Sequence, residues 1–246
     1  MRLVGRKKGD ERDAKSKAKA KTKSARATRP HRGSAEPAAA RPEPSPSSAP
    51  ERREEGTRER MVEGAARLLA QRGLQATSFS EVLEATGSPR GSVYHHFPDG
   101  KNQLIEAALD FVAAQMARVI DPKEGAPAEE ITDLFLRVWR SILTRSRFQA
   151  GCAVVAVTVA SDSPELLQHT AAIFRSWRIR LAELLVKGGL APRDAGPFAA
   201  MLIAASEGAV ILGRGEQSIE PFELVASQLL EQVRRLTREH KGGPSS

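Results

Sequence analysis

Gly87 and Pro98 punctuate this chain so closely that only two brief helices fit between Ser78 and Phe97. Ser78 can cap a helix start, with Glu81 three residues later as the partner of a capping box. Phe79, Val82 and Leu83 then share one helical face, and Gly87 ends that helix. Ser88 is placed to cap a second helix, Pro89 suits its first position, and Pro98 stops it. Two short helices about a tight Gly-containing turn predict a helix-turn-helix, whose second helix enters the major groove of DNA. That second helix offers Arg90, Ser92, Tyr94 and His95 as polar reach, while Val93 and Phe97 (i, i+4) face a core.

Charge must be divided before it supports a nucleic-acid partner. The 246 residues carry a formal +8, with a pI near 10.0. Residues 1–50 hold 14 Lys or Arg and 5 Asp or Glu, so the remaining 196 hold 24 and 25 and are electrically balanced. The overall basicity therefore belongs to the N-terminal segment, and the rest must recognise DNA through placement of charge. Residues 1–54 read as a disordered basic and Pro-rich tail, with a low-complexity run Lys15-Ser-Lys-Ala-Lys-Ala-Lys-Thr-Lys23 and Pro-rich spacing at 36–50. Such a run is either an arm that grips phosphates or a solvating tail.

From Thr57 onward the apolar spacing is helical almost throughout. Stripes run through Met61–Leu69, Leu104–Val112, Ile131–Leu143, Leu166–Leu185, Phe198–Ala209 and Phe222–Leu236. Gly73, Gly188-Gly189 and Gly213 are expected to end three of them. Ala153–Ala160 is rich in β-branched residues, but a lone strand would leave its backbone unpaired, so a short buried helix is expected. The single cysteine, Cys152, fits a reducing compartment. No apolar stretch follows the basic N-terminus as a signal peptide requires, and the longest nearly apolar run, 151–160, is too short to span a bilayer. A cytoplasmic protein without a membrane partner is expected.

The stretch Gly87-Ser-Pro-Arg-Gly-Ser-Val-Tyr-His-His-Phe97 followed by Lys101 resembles the DNA-binding domain of TetR-family transcriptional regulators, over about residues 55–115. The spacer Phe97-Pro-Asp-Gly-Lys101 is one residue longer than the common form and is similar to the LmrA/YxaF-type branch. Gly151-Cys152 and Glu207-Gly208-Ala209-Val210 also resemble that branch, although Ala153 stands where the branch usually has Pro. The resemblance implies an all-α fold, with a three-helix head at 55–115 on a ligand-binding and dimerisation body at 116–240. It further implies a homodimer through residues 192–239, with helices at roughly 192–213 and 219–239 pairing with the partner's as a four-helix bundle. Ala204, Ala205, Gly208 and Ala209 would permit close helix approach.

The function implied is a repressor that leaves a pseudo-palindromic double-stranded operator when a small hydrophobic effector binds. On the DNA side, Arg90 is expected to read a guanine edge or grip phosphate, and Ser92 to bond phosphate or a base. Tyr94 and His95 match family positions that contact the backbone, Gly91 permits close approach, and Lys101 would share a phosphate with its helix N-terminus. Ser78 and Ser88, expected as helix caps, complete the DNA-facing set. On the ligand side, Phe111, Phe135, Trp139, Phe174 and Trp177 are candidate cavity walls, with Gln115, Thr158 and His169 as polar groups that orient a ligand. Apolar stripes at helical spacing bury themselves anyway, so plain core is the reading favoured for each of these rings over cavity wall.

Catalysis finds no support. Cys152 and His169 lie 17 residues apart without a triad signature, and no metal-ligand cluster, phosphate loop or paired carboxylates appears. No cofactor and no metal are expected. The alternative reading is a DNA-binding regulator or architectural protein governed by a protein partner, which the basic tail favours.

Overall fold

The apolar stripe beginning at Met61 decides how α1 (Ser48–Arg72) lies, because Met61, Ala65 and Leu69 are fully buried along one face. The computed structural model describes residues 48–242, with side chains from 54 to 240. Helix α1 starts at Ser48, upstream of the 54–57 boundary expected from the stripe. Glu51-Arg-Arg-Glu-Glu55 are good helix formers without an apolar residue, so they leave no periodic signal. The rest of the expected tail, residues 1–47, lies outside the described residues.

Three more helices complete the head: α2 (Phe79–Thr86), α3 (Arg90–His96) and α4 (Lys101–Ile120). Helices α2 and α4 pack on α1, and α3 packs on α2. Gly64 of α1 lies against Thr86, where a Cβ would collide with the threonine methyl, so glycine lets the end of α2 seat there. The expected boundary at 115/116 falls inside α4, which runs unbroken from head to body.

A short 3-10 turn, Asp121–Lys123, leads into α5 (Ala128–Arg145), α6 (Ala153–Ala160), α7 (Pro164–Lys187), α8 (Pro192–Glu216) and α9 (Glu220–Gly242). The β-branched segment is therefore a helix, with Val154 and Val157 buried. Its N-cap is Cys152, whose sulfur accepts from Val155 N–H at 3.5 Å. Among the described residues no strand occurs. Helix α8 packs on α7, α9 and α5, and α5 also packs on α9. Arg140 of α5 donates to both carboxylate oxygens of Glu223 in α9, at 2.5 and 2.8 Å.

Two expectations need correction. Gly213 does not end α8, which continues to Glu216 and closes on Gln217 at φ 51°. Gly213 is there for space, since a Cβ would come within 3.0 Å of Ser218 O and 3.5 Å of Leu143. The most span-like stretch is also not 151–160: α8 is long and apolar enough, by length and composition, to cross a membrane, although half of it is buried in the fold. It buries Ser206 and Glu207 among its apolar residues.

Helix α6 sits between head and body. Gly151 N–H at its start donates to Ala70 O of α1 (2.8 Å), and Ala160 O at its end accepts from Gln75 Nε2 (3.3 Å).

Candidate functional site

Ser78 holds the start of α2 as its cap, accepting from Glu81 N–H at 3.2 Å. The capping box is not closed, because the Glu81 carboxylate bonds Arg72 of α1 at 2.8 Å instead. That contact ties α2 to the end of α1. Gly87 ends α2 at φ 63°, a left-handed conformation costly for other residues, and Ser88 N–H reaches Leu83 O at 3.3 Å to close the turn.

Ser88 does not cap the second helix. Pro89 takes that position without a side-chain bond, so α3 begins at Arg90 rather than at the proline. Ser88 is only 8 % exposed, and its hydroxyl shares a 2.9 Å hydrogen bond with that of Thr86. Buried and engaged, it braces the turn and offers little to DNA.

Val93 and Phe97 are buried as expected and seat α3 on the head core. Arg58 of α1 lies over the Phe97 ring, 5.4 Å from its centroid. The opposite face of α3 turns outward. Arg90, Gly91, Tyr94 and His95 are exposed, with Tyr94 the most open large ring of the chain at 69 %. Tyr94 is steadied by an edge contact with Phe79 at 5.6 Å. A Cβ on Gly91 would meet nothing within 4 Å, so packing does not require glycine there. Ser92 is half-buried and donates to Pro89 O at 2.6 Å. Neighbouring His96 is held below the ordinary histidine range, first by burial and next by the charge of His95.

Lys101 sits where the resemblance implies, at the first position of α4 behind Gly100. Its ammonium donates to Leu74 O at 3.1 Å and so ties α4 to the α1–α2 loop.

In the body, a cavity of about 300 Å³ opens between α1, α4, α5, α6 and α7. Of the expected residues it gathers Phe111, Gln115, Trp139 and Trp177, together with Met116 and Cys152. Phe135 lines a second cavity of about 230 Å³, which shares Met116 and Trp177 with the first and has Arg180 and Asp121 at its edge. Three expected residues line neither cavity. Phe174 packs edge-on against Trp177 at 5.8 Å, one layer behind the wall. Thr158 is exposed and donates to Val154 O of its own helix at 2.8 Å, because Val154 and Val157 fill the inner face. His169 stands 2.8 Å from Asp110 and bridges α7 to α4.

Sequence reasoning did not find the pairing of Cys152 with Glu207. The carboxyl is buried in α8 against the α6 cap, and burial pushes its pKa up to about 7. The Cys152 thiol is pushed well above its usual value by burial and then by Glu207. The only signal was an acid inside an apolar helix. Among the described residues, no group of His, Cys, Asp and Glu is placed to hold a metal ion.

Head and body each match a known family. Residues 61–108 match the bacterial regulatory proteins of the tetR family, and residues 127–228 match the C-terminal domain of LmrA/YxaF-like transcriptional regulators. The chain is 36 % identical to the HTH-type transcriptional regulator Rv0196 of Mycobacterium tuberculosis, across 71 % of this chain and 93 % of that protein. It is 27 % identical to YxaF of Bacillus subtilis, across 73 % and 96 %. A crystal structure of a TetR transcriptional regulator from Chloroflexus aurantiacus superposes with a TM-score of 0.63 at 29 % identity, across 75 % of this chain and 97 % of that one. A helix-turn-helix mounted on this helical body, matched along both parts, identifies the chain as a DNA-binding transcriptional regulator belonging to the TetR family.

Proposed function

We propose that this regulator is a homodimeric repressor that grips a pseudo-palindromic operator through α3 and is released by a small hydrophobic effector in the body. The observation that carries the DNA half is the outward row Arg90, Tyr94 and His95 on a helix anchored by Val93 and Phe97. Arg90 reads or grips, Tyr94 and His95 position, and Ser92, Lys101 and Ser78 add donors at the margins. A protein that works on the chromosome belongs in the cytoplasm.

The dimer half rests on an apolar face left open along α8 and α9. Met201, Ile211 and Leu212 of α8 are exposed, and Leu224 of α9 is 63 % exposed. Small residues Ala204, Ala205 and Gly208 lie on the same helix, where they permit close approach of a second copy. The effector half rests on the 300 Å³ cavity, which abuts both α4, the helix continuous with the head, and the start of α6. Ligand binding must favour a head spacing that no longer fits successive major grooves. A hundredfold loss of operator affinity requires the ligand to prefer the released form by about 2.7 kcal/mol.

Footprinting on DNA selected by the full chain tests the reading. The expected footprint is a pair of inverted half-sites with centres about one helical turn, or a multiple of it, apart. A single asymmetric half-site would remove the dimeric reading.

A further inference from the structure

We infer that Arg214 is a positioning residue for DNA recognition: from α8 it clasps the C-terminal end of α1 and so fixes how the head is carried on the body. This inference rests on the dimeric reading, because the angle of a head matters most where two heads must fit one DNA.

The clasp begins with a helix end. The last carbonyls of an α-helix lack partners within the helix, and the negative end of its dipole attracts cations. At the end of α1, Leu69 O accepts from Gly73 N–H at 3.1 Å, a bond local to the head. The next two carbonyls are met by the body. Ala70 O accepts from Gly151 N–H at 2.8 Å, and Gln71 O accepts from Arg214 Nη2 at 3.3 Å. The head's own cation at this end, Arg72, is paired with Glu81. Arg140, Arg180 and Arg234 of the body pair with carboxylates, whereas Arg214 forms no ion pair among the described residues. Its charge serves the helix end.

The second observation is the room made for it. A Cβ on Gly151 would stand 2.9 Å from Nη1 and 3.4 Å from Cδ of Arg214, with Val210 next at 3.5 Å. Gly151 is not among the glycines with positive φ, so the guanidinium, not the backbone, calls for glycine there. The loop that delivers Gly151 holds Arg147 and Phe148 at φ 51° and 63°, a costly conformation that persists only where the surroundings enforce it. The far side of the joint is braced as well. Gln217, which closes α8, donates to Arg214 O at 2.6 Å and accepts from Gln149 Nε2 at 3.3 Å. Helix α8, the loop before α6 and the end of α1 thus meet at one side chain.

Two heads hold an inverted pair of half-sites tightly when their spacing is preset, since the second contact then forms at high effective concentration. Releasing the clasp widens the range of spacings and lowers that concentration, while α3 keeps its own contacts.

The test compares the full-length parent, Arg214→Ala and Gly151→Ala on three duplexes. These are the site that the parent selects from random DNA, one half of that site, and the whole site with one base pair inserted at its centre. Arg214→Ala should lose about tenfold on the whole site, bind the half-site within about twofold of the parent, and suffer less than the parent from the insertion. Gly151→Ala displaces the flexible end of the guanidinium and should give the same pattern. Adding it to Arg214→Ala should change nothing further. Equal losses on whole and half sites, an unrelaxed response to the insertion, additive effects in the double variant, or loss of the dimer in sedimentation overturns the inference. Should one variant fail to fold, the other single variant decides on the same duplexes. A parent that prefers the whole site no more than the half removes the dimeric reading and this role with it. A parent with that preference, whose variants keep it in full, removes this role alone.

Discussion

Buried threonines are bonded in both parts, Thr132 and Thr170 of the body included, but the two parts differ in the polar groups they leave unpaired. In the head, Thr77 donates to Gly73 O at 2.9 Å, Thr86 to Val82 O at 2.8 Å, and Ser88 pairs with Thr86. In the body, Trp139 Nε1, Trp177 Nε1, Ser206 Oγ and Glu207 Oε1 are buried without partners among the described residues. Satisfied groups hold a surface in one shape, which a reading helix needs before it meets DNA. Unsatisfied groups store a free-energy deficit that an arriving molecule or a rearrangement can remove. On the proposed function, the contrast suits a rigid head and a responsive body.

The largest expected effect tests the rigid half. Phe97→Ala empties the fully buried site under Arg58 and should cost about 3–5 kcal/mol of stability, with loss of operator binding. Denaturant unfolding checks it, and a cost below about 1 kcal/mol would show that the head core does not depend on this ring.

Glu207 tests the responsive half through pH. Its folded-state pKa is raised from 4.5 to about 7, so between those values the folded chain holds a proton that the unfolded chain has lost. That stabilisation is complete below about 4.5 and disappears as pH rises through 7. The full swing is on the order of 3 kcal/mol. Glu207→Gln should flatten this fall and leave the variant more stable than the parent above pH 7, as unfolding curves across that window would reveal. An unchanged pH profile would mean that the carboxyl titrates as in water.

Arg90→Ala is expected to cost about 1–3 kcal/mol on the specific operator and to relax one base position. Equal losses on specific and random DNA would reduce Arg90 to a phosphate contact. The smallest pair reads the comparison directly. Thr77→Val removes a satisfied hydroxyl and should cost about 1 kcal/mol, whereas Ser206→Ala removes an unsatisfied one and should be neutral or mildly stabilising. A clear cost at Ser206 would mean that its hydroxyl has a partner.

The head was legible because its signals act over a few residues. Ser78, Gly87 and Pro98 each set a helix end through local backbone chemistry, and Val93 with Phe97 set the buried face through helical periodicity alone. Even there two readings slipped, both over competing partners. Glu81 turned to Arg72 and Ser88 to Thr86, because a side chain with two reachable partners is settled by where the neighbouring helix lies.

The body was legible only in outline. Its apolar stripes predicted which residues point inward, and the β-branched 153–160 segment proved helical for the backbone reason anticipated. They did not predict which inward residues border a gap. Phe111, Gln115, Trp139 and Trp177 meet at one cavity, while Thr158, His169 and Phe174 do not.

From its own residues, then, the chain determined its helices, the ends set by Ser78, Gly87 and Pro98, and the outward face of α3, since each depends on contacts within about one turn. Tertiary structure alone decided the rest. The Cys152–Glu207 pairing, the His169–Asp110 bridge and the two tryptophans of one cavity wall join residues 38 to 59 positions apart. Such contacts depend on how whole helices pack, and packing leaves cavities where side-chain volumes fail to match, a property no single stripe contains.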